Sequence, residues 1–274
     1  MKHASRRRLT LTLLVGAVLL FVLIAVGGYL ASDAAAVSDF TRKNLAPCLR
    51  YPFGTDWMGR DMFLRTLTGL SMSIRLGLLT AAISAVIAFG LGVASATLGS
   101  WADSAVRFVI DLMMGIPHIL LLVLISLACG KGFVGVVVGV SLTHWTSLAR
   151  LIRGEVLQLR ESTYIKVAEK MGMSRWHIAW RHMAPHLLPQ FLVGLVLLFP
   201  HAILHEASIT FLGFGLSPEQ PAIGVILSES MQYLSMGKWW LALLPGLCLV
   251  LVVMLFDWIG ESLRRLIDPA SVHE

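Results

Sequence analysis

Residues 9–30 read LTLTLLVGAVLLFVLIAVGGYL, a run of 22 residues without one charged side chain. A helix of this length can span the roughly 30 Å hydrocarbon core of a bilayer, for which about 20 apolar residues suffice. Arg6, Arg7 and Arg8 precede the run and small residues at 34–36 follow it, which is also the layout of a secretory signal peptide. The apolar core of a signal peptide has only about 7–15 residues. We therefore interpret residues 9–30 as a retained first transmembrane helix.

Composition and segment length extend this interpretation to the whole chain. The mean hydropathy is +0.78, and 57% of the residues are apolar while 14% are charged. An ordinary soluble domain carries about 25% charged residues. The sequence therefore predicts an all-α membrane protein with about six transmembrane helices. Beyond the first, the predicted spans are 72–98, 106–129, 133–152, 188–212 and 240–261.

The distribution of basic residues predicts the orientation. If the N-terminus is cytoplasmic, the inner segments hold most of the 22 Lys and Arg residues, whereas the long outer segment 31–70 holds five. Positive charge concentrates in cytoplasmic loops, so both termini are predicted to be cytoplasmic. The net charge of +6 does not indicate nucleic-acid binding, because the basic residues lie in short segments between apolar runs.

Three cysteines, Cys48, Cys129 and Cys248, lie far apart and form no CxxC motif. This spacing shows no zinc or redox motif, and we expect three free thiols. A bridge between Cys48 and Cys129 at the outer face is the alternative.

The inner loop at residues 160–187, RESTYIKVAEKMGMSRWHIAWRHMAPHL, carries a helical pattern between two spans. Ser162 is a candidate N-cap of a short helix that Gly172 ends, and a second short helix is predicted from about Ser174. Pro185 is expected to break the chain before the fifth span. By pattern alone, these two amphipathic helices dock against a partner or lie on the bilayer surface.

This loop resembles the cytoplasmic coupling loop of permeases from binding-protein-dependent ABC importers. In the peptide/nickel branch the loop reads Tyr-Val-x-Ala-Ala-x-x-x-Gly-x-Ser and then His-Ile-Leu-Pro. The matching residues here are Tyr164, Ala168, Gly172, Ser174, His182 and Pro185. Lys166 departs from the family, which favours Glu at that position.

Further motifs of the same branch follow in order along most of the chain. They are Gly-Thr-Asp at 54–56, Gly-Arg-Asp at 59–61, Ile-Pro at 116–117, Phe-Leu-Gly at 211–213, Pro-Gly at 245–246 and Asp-Pro at 268–269. The resemblance is to the smaller, C-type permease of the pair. It implies a type I ABC importer permease fold in the bacterial inner membrane. Residues 1–70 would form the first transmembrane helix and an outer segment, and residues 71–268 the permease core of five helices with the coupling loop near 160–187.

The resemblance also implies the partners. A second permease subunit would complete a heterodimer in the lipid bilayer, an extracytoplasmic binding protein would deliver substrate, and cytoplasmic ATPase subunits would use ATP. The chain itself would be no enzyme and would bind no cofactor, and it contains no GxxxxGK[ST] phosphate loop. The residues expected to couple it to the ATPase are Tyr164, Ala168, Gly172, Ser174 and Pro185.

Three polar residues in the fifth predicted span, His201, His205 and Glu206, are candidates for the substrate pathway. A spacing of four places both imidazoles on one helix face, and imidazole suits nickel, copper and zinc. The His-x-x-x-His ahead of Phe-Leu-Gly, and His144 before Trp145, resemble the nickel permeases. We therefore expect His201 and His205 to form a transient metal site and the cargo to be nickel or a nickel chelate. The alternatives are histidines that hydrogen-bond to neighbouring helices, and a cargo of di- or oligopeptides.

Two other classes of membrane protein fit less well. An intramembrane metalloprotease needs HExxH, whereas this chain has HAILHE at 201–206, with the Glu after the second His. A channel or secondary transporter acting alone needs no cytoplasmic docking helix and often contains inverted repeats. No internal repeat is visible here.

Overall fold

The computed structural model describes the backbone of residues 2–267 and the side chains of residues 10–267 except that of residue 96. Within these residues the chain is helical, with one isolated β-bridge between Thr55 and Asp61. The helices are α1 Lys2–Leu30, α2 Ser32–Ala36, α3 Met62–Thr97, α4 Ser100–Gly115, α5 His118–Ala128, α6 Phe133–Arg160, α7 Thr163–Lys170, α8 Arg175–Ile178, α9 Ala184–Phe211, α10 Ile223–Leu234 and α11 Trp240–Ile267. A 3₁₀ turn covers Phe40–Arg42, and a π-helical turn covers Ala179–Met183.

Five helices are long and apolar enough to cross a membrane: α1, α3, α6, α11 and the continuous helix Arg175–Phe211 that ends with α9. The pair α4 and α5 raises the number to six if it counts as one broken span. The prediction of about six spans in an all-helical protein is therefore confirmed. Helices satisfy their own backbone hydrogen bonds, which is why they are stable in hydrocarbon.

The third span differs from its prediction. The run of apolar residues predicted one helix over 106–129, but α4 and α5 meet at an angle of 101°. Pro117 has no N–H to donate, and Ile116 before it is extended at φ −97° and ψ 136°. A residue that precedes proline disfavours the helical conformation, so the Ile-Pro motif itself creates the bend.

Pro185 has the opposite outcome. The expected break before the fifth span was wrong, because α8 continues through the π-helical turn into α9. Pro185 lies in the first turn of α9, and the wider π-helical turn precedes it. This turn carries the chain past the proline, so Arg175–Phe211 runs as one helix of 37 residues.

Two helices, α3 and α6, are longer than the sequence predicted. The helix α3 begins at Met62 instead of residue 72, because the Asp61 carboxylate caps it by accepting from the backbone N–H of Phe63 at 2.8 Å. The helix α6 runs to Arg160, eight residues past its predicted end. Between the fifth and sixth predicted spans the chain forms α10, whose residues Ile223 and Ile226 are fully buried.

The helix α3 is the centre of the bundle and packs against α1, α6 and α9. Phe21 of α1, Phe199 of α9 and Phe256 of α11 form an aromatic cluster, in which the Phe199 and Phe256 ring centroids lie 4.0 Å apart. Many leucines of α1 and α11 are exposed, for example Leu23 and Leu251. Exposed apolar residues on membrane-length helices indicate a surface that faces lipid.

The outer segment is fixed to the bundle by a group of charged residues. Arg65 of α3 donates to the Asp56 carboxylate at 2.6 Å and to that of Glu229 in α10 at 2.9 Å. Arg60 also pairs with Asp56, at 2.6 Å. Because Asp56 and Arg65 are buried, these contacts hold the Gly-Thr-Asp segment against the first turn of α3 and the middle of α10.

Candidate functional site

An open cavity of about 770 Å³ lies on one side of the bundle, where the bend between α4 and α5 faces α6 and α9. Its wall is mainly apolar, with Met113, Ile116, Leu148 and Leu197 among the residues that line it. The polar part of the wall comes largely from imidazoles and hydroxyls. These residues are His118, Thr143, His144, Thr146, Ser147, His201 and His205.

Three of the histidines form a compact cluster at this wall. The ring centroids of His118, His144 and His205 lie 4.4–4.9 Å apart in edge-to-face arrangements. One ring nitrogen from each lies within 4.8 Å of the other two. Each histidine belongs to a different helix, α5, α6 and α9 respectively.

The predicted pair His201 and His205 is arranged differently from expectation. Both line the cavity, but the His205 ring joins the cluster of His118 and His144, and the His201 side chain is exposed outside it. Their contact runs through the backbone, with the His205 Nδ1 lying 2.7 Å from the carbonyl oxygen of His201.

His118 was missed by the sequence analysis. A continuous helix over 106–129 gave this residue no special position, whereas the bend places it at the first residue of α5. The signal that could have found it is the Ile-Pro motif directly before it. A proline-induced break within a span is a place where side chains can reach a cavity inside the membrane.

Glu206 does not join the two histidines that precede it. Its side chain is fully buried on another face of α9, and the Thr210 hydroxyl donates to its Oε1 at 3.0 Å. Successive residues of a helix point about 100° apart. The structure therefore corrects the predicted grouping, because Glu206 does not line the cavity that His201 and His205 share.

The inner loop forms the two short helices that its pattern predicts, α7 and α8. Gly172 ends α7 with φ at +80°. The Gly172 N–H donates to the Glu169 carbonyl and the Met173 N–H to the Ala168 carbonyl, the hydrogen-bond pattern of a Schellman C-cap. Ser174 caps α8 by accepting from the backbone N–H of His177 at 3.2 Å. Ser162 occupies the N-cap position of α7, but its hydroxyl donates to the carbonyl of Leu159.

One face of the α7–α8 segment is buried and the opposite face is exposed. Ile165, Ala168 and Ile178 are buried against the bundle, so Ala168 packs within its own chain. The opposite side exposes apolar side chains, Tyr164, Val167, Met171, Met173 and Trp176. Gly172, Ser174 and Pro185 are exposed as well.

Lys166, the residue that departs from the family pattern, has a partner in its own chain. Its ammonium group lies 2.8 Å from the Glu161 carboxylate. The hydrogen bond from Lys166 lowers the pKa of Glu161. The two residues thus form an exposed pair at the junction of α6 and α7.

Membrane-length helices, a cavity at a broken span and an exposed apolar segment at one end fit a membrane transport subunit. The family of binding-protein-dependent transport system inner membrane components matches residues 86–270, more than half of the chain. The chain belongs to this family. It is therefore a multi-pass permease subunit of an ABC importer, and in this family ATP hydrolysis is carried out by separate subunits.

Named relatives cover nearly the whole chain. A putative peptide transport system permease protein of Brucella abortus is 34% identical over 98% of this chain and 89% of its own length. A probable D,D-dipeptide transport system permease protein of Escherichia coli is 32% identical over 96% and 88%. The dipeptide transport system permease protein of Bacillus subtilis is 29% identical over 91% and 78%.

A solved structure confirms the fold. An inward-facing structure of the MetNI methionine ABC transporter contains a chain that matches with a TM-score of 0.62, covering 76% of this chain and 98% of that one. The sequence identity is 18%, so this likeness shows the type I importer permease fold alone.

Proposed function

We propose that this chain is the smaller, C-type permease of a peptide importer and lines half of the pathway for di- or oligopeptides. The observation that carries the proposal is the set of relatives named as peptide or dipeptide permeases, which match 85–98% of the chain. None of these names mentions nickel, the cargo expected from the histidines. The peptide alternative is thus the better supported of the two.

The chemistry of the cavity fits a peptide pathway. A wall that is mainly apolar with a few polar groups can contact side chains and backbone amides of varied cargo. In the proposed complex, the open side of the cavity faces the second permease subunit, and the binding protein delivers peptide from the outer face.

The α7–α8 segment is proposed to couple the chain to an ATPase subunit. Helix-in-groove recognition needs an apolar face with a few polar contacts. The exposed side chains of Tyr164, Val167 and Trp176 supply such a face. Ala168 and Ser174 act indirectly, since one packs α7 against the bundle and the other caps α8.

Uptake in cells that carry all genes of the importer tests this proposal. Deleting this chain should abolish uptake of a radiolabelled dipeptide and leave uptake of radioactive nickel unchanged, and a plasmid copy should restore peptide uptake. Because two cargos are followed in one strain, a general loss of membrane integrity is recognised by the loss of both. Loss of nickel uptake alone would overturn the peptide assignment.

A further inference from the structure

We propose that His118, His144 and His205 form a binding site for a divalent first-row transition metal ion on the wall of the cavity. The site differs from the predicted pair of His201 and His205, because it combines His205 with His118 and His144 from two other helices and does not include His201. It also goes beyond the proposed peptide pathway, because it requires no peptide.

The spacing of the rings suits one ion. Metal–nitrogen distances of about 2.0–2.1 Å in a tetrahedral site place ligand nitrogens about 3.3 Å apart. One nitrogen from each of the three rings lies within 4.8 Å of the others. Side-chain rotations that shorten these nitrogen–nitrogen distances to about 3.3 Å would place the three nitrogens around one ion.

Backbone contacts orient two of the rings. The His144 Nδ1 lies 2.9 Å from the carbonyl oxygen of Val140, four residues earlier in α6. The His205 Nδ1 has the same relation to His201 in α9. An Nδ1–H donor in such a contact leaves Nε2 with its lone pair, and metal-binding histidines usually donate their other N–H to a carbonyl or carboxylate.

The third ring supplies the observation that favours a ligand. The Nε2 of His118 is buried and has no hydrogen-bond partner within the described residues. A buried polar atom left unpaired costs about 1–3 kcal/mol. Hydrogen bonding among the three neutral imidazoles does not remove this cost. Their one hydrogen-bond contact joins His144 and His205 and leaves His118 out. A metal ion accepts the free lone pair and removes the cost.

The donor set also indicates the class of ion. Imidazole suits zinc, copper, nickel and iron, whereas magnesium and calcium require oxygen ligands. The group contains three histidines and no carboxylate. Three protein ligands leave a fourth position, which water or a donor atom of a molecule in the cavity can fill, since all three histidines line that cavity.

The position of the site suits reversible binding. Because each ligand is on a different helix, any movement of α5 against α6 and α9 changes the distances between the nitrogens. Movement of these helices would therefore release the ion.

Metal titration of the complete importer tests the site. The importer, purified through a tag without histidine and without added peptide, is titrated with ZnCl₂ by calorimetry and with CoCl₂ by visible absorption, which reports the coordination geometry. We expect one ion for each copy of this chain. His118→Asn should weaken binding by more than about 100-fold, because outer-shell partners alone contribute roughly 10–100-fold. Size-exclusion elution of the variant complex checks that it is assembled.

Two control variants locate the ion. His201→Asn removes a histidine of the same cavity wall that is outside the cluster, and His182→Asn removes one near α8. Both should retain the affinity of the unaltered complex. Absence of saturable binding, or loss of binding in a control but not in His118→Asn, would overturn the proposal. Peptide uptake is measured separately, so either proposal can fail without the other.

Discussion

The Arg65 side chain joins the segment before α3 to α10. It contacts the carboxylates of Asp56 and Glu229, which come from the outer segment and from α10. Its side chain and that of Asp56 are almost completely buried. A charge removed from water is stabilised by its partners alone, so the loss of one partner has a large effect.

Arg65→Ala should destabilise the protein by about 3–5 kcal/mol, the usual effect of breaking a buried ion pair. The measurement is the midpoint of thermal aggregation of the detergent-solubilised importer. Arg107→Ala is a matched control. Arg107 is exposed, and it pairs with the Asp103 carboxylate, which also pairs with a second arginine, Arg153. Exposed pairs contribute at most about 1 kcal/mol. Equal shifts for both variants would contradict the structural role of Arg65.

Among the helical elements, the α7–α8 pair depends on the turn between them. Gly172 has φ at +80°, where a side chain is strained, yet a Cβ at this position would meet nothing within 4 Å. The requirement for glycine is therefore conformational within this chain. The left-handed conformation costs an L-residue roughly 1–2 kcal/mol, and Asn tolerates it better than most.

Gly172→Val should reduce co-purification of the ATPase several-fold, because a β-branched residue disfavours the turn that sets α8 against α7. Gly172→Asn adds a side chain of similar size but accepts the left-handed conformation, and it should remain close to wild type. Pull-down of the ATPase on the solubilised permease measures both. If the two variants lose the ATPase equally, the bulk of the side chain and not the turn is responsible. Normal recovery of the ATPase with Gly172→Val would refute the coupling assignment.

At the scale of the whole molecule, the positive-inside pattern predicts which end of the bundle faces the cytoplasm. Cys48 lies in the segment between α2 and α3, and Lys170 ends α7, so the prediction places them on opposite sides of the membrane. Cys48 is an exposed free thiol, which makes the prediction measurable. Cys129 is also free, so the alternative of a bridge between these two cysteines is not realised.

In right-side-out vesicles, a membrane-impermeant maleimide should label a variant that keeps only Cys48. A variant in which Lys170→Cys supplies the only cysteine should be labelled only after detergent is added. Cys129→Ser and Cys248→Ser produce the first variant, and adding Cys48→Ser and Lys170→Cys produces the second. Labelling of the second and not the first in intact vesicles would reverse the orientation.

The sequence alone determined the class of the protein and most of its helices. A span needs about 20 apolar residues, which is a local property that can be read from a stretch such as 9–30. The short helices α7 and α8 were also predictable, because Gly172 and Ser174 act through hydrogen bonds to residues close in sequence. The family motifs pointed to an importer permease, which the family match confirms, and the solved structure confirms the fold.

The tertiary structure decided how the elements meet. Two prolines had opposite effects, because Pro117 follows an extended residue whereas the π-helical turn before Pro185 lets its helix continue. The candidate site depends on the same distinction. A pattern within one helix can bring together only residues three or four apart, which is why it suggested His201 and His205. The cluster of His118, His144 and His205 comes from three helices, and only the packing of those helices places the rings side by side.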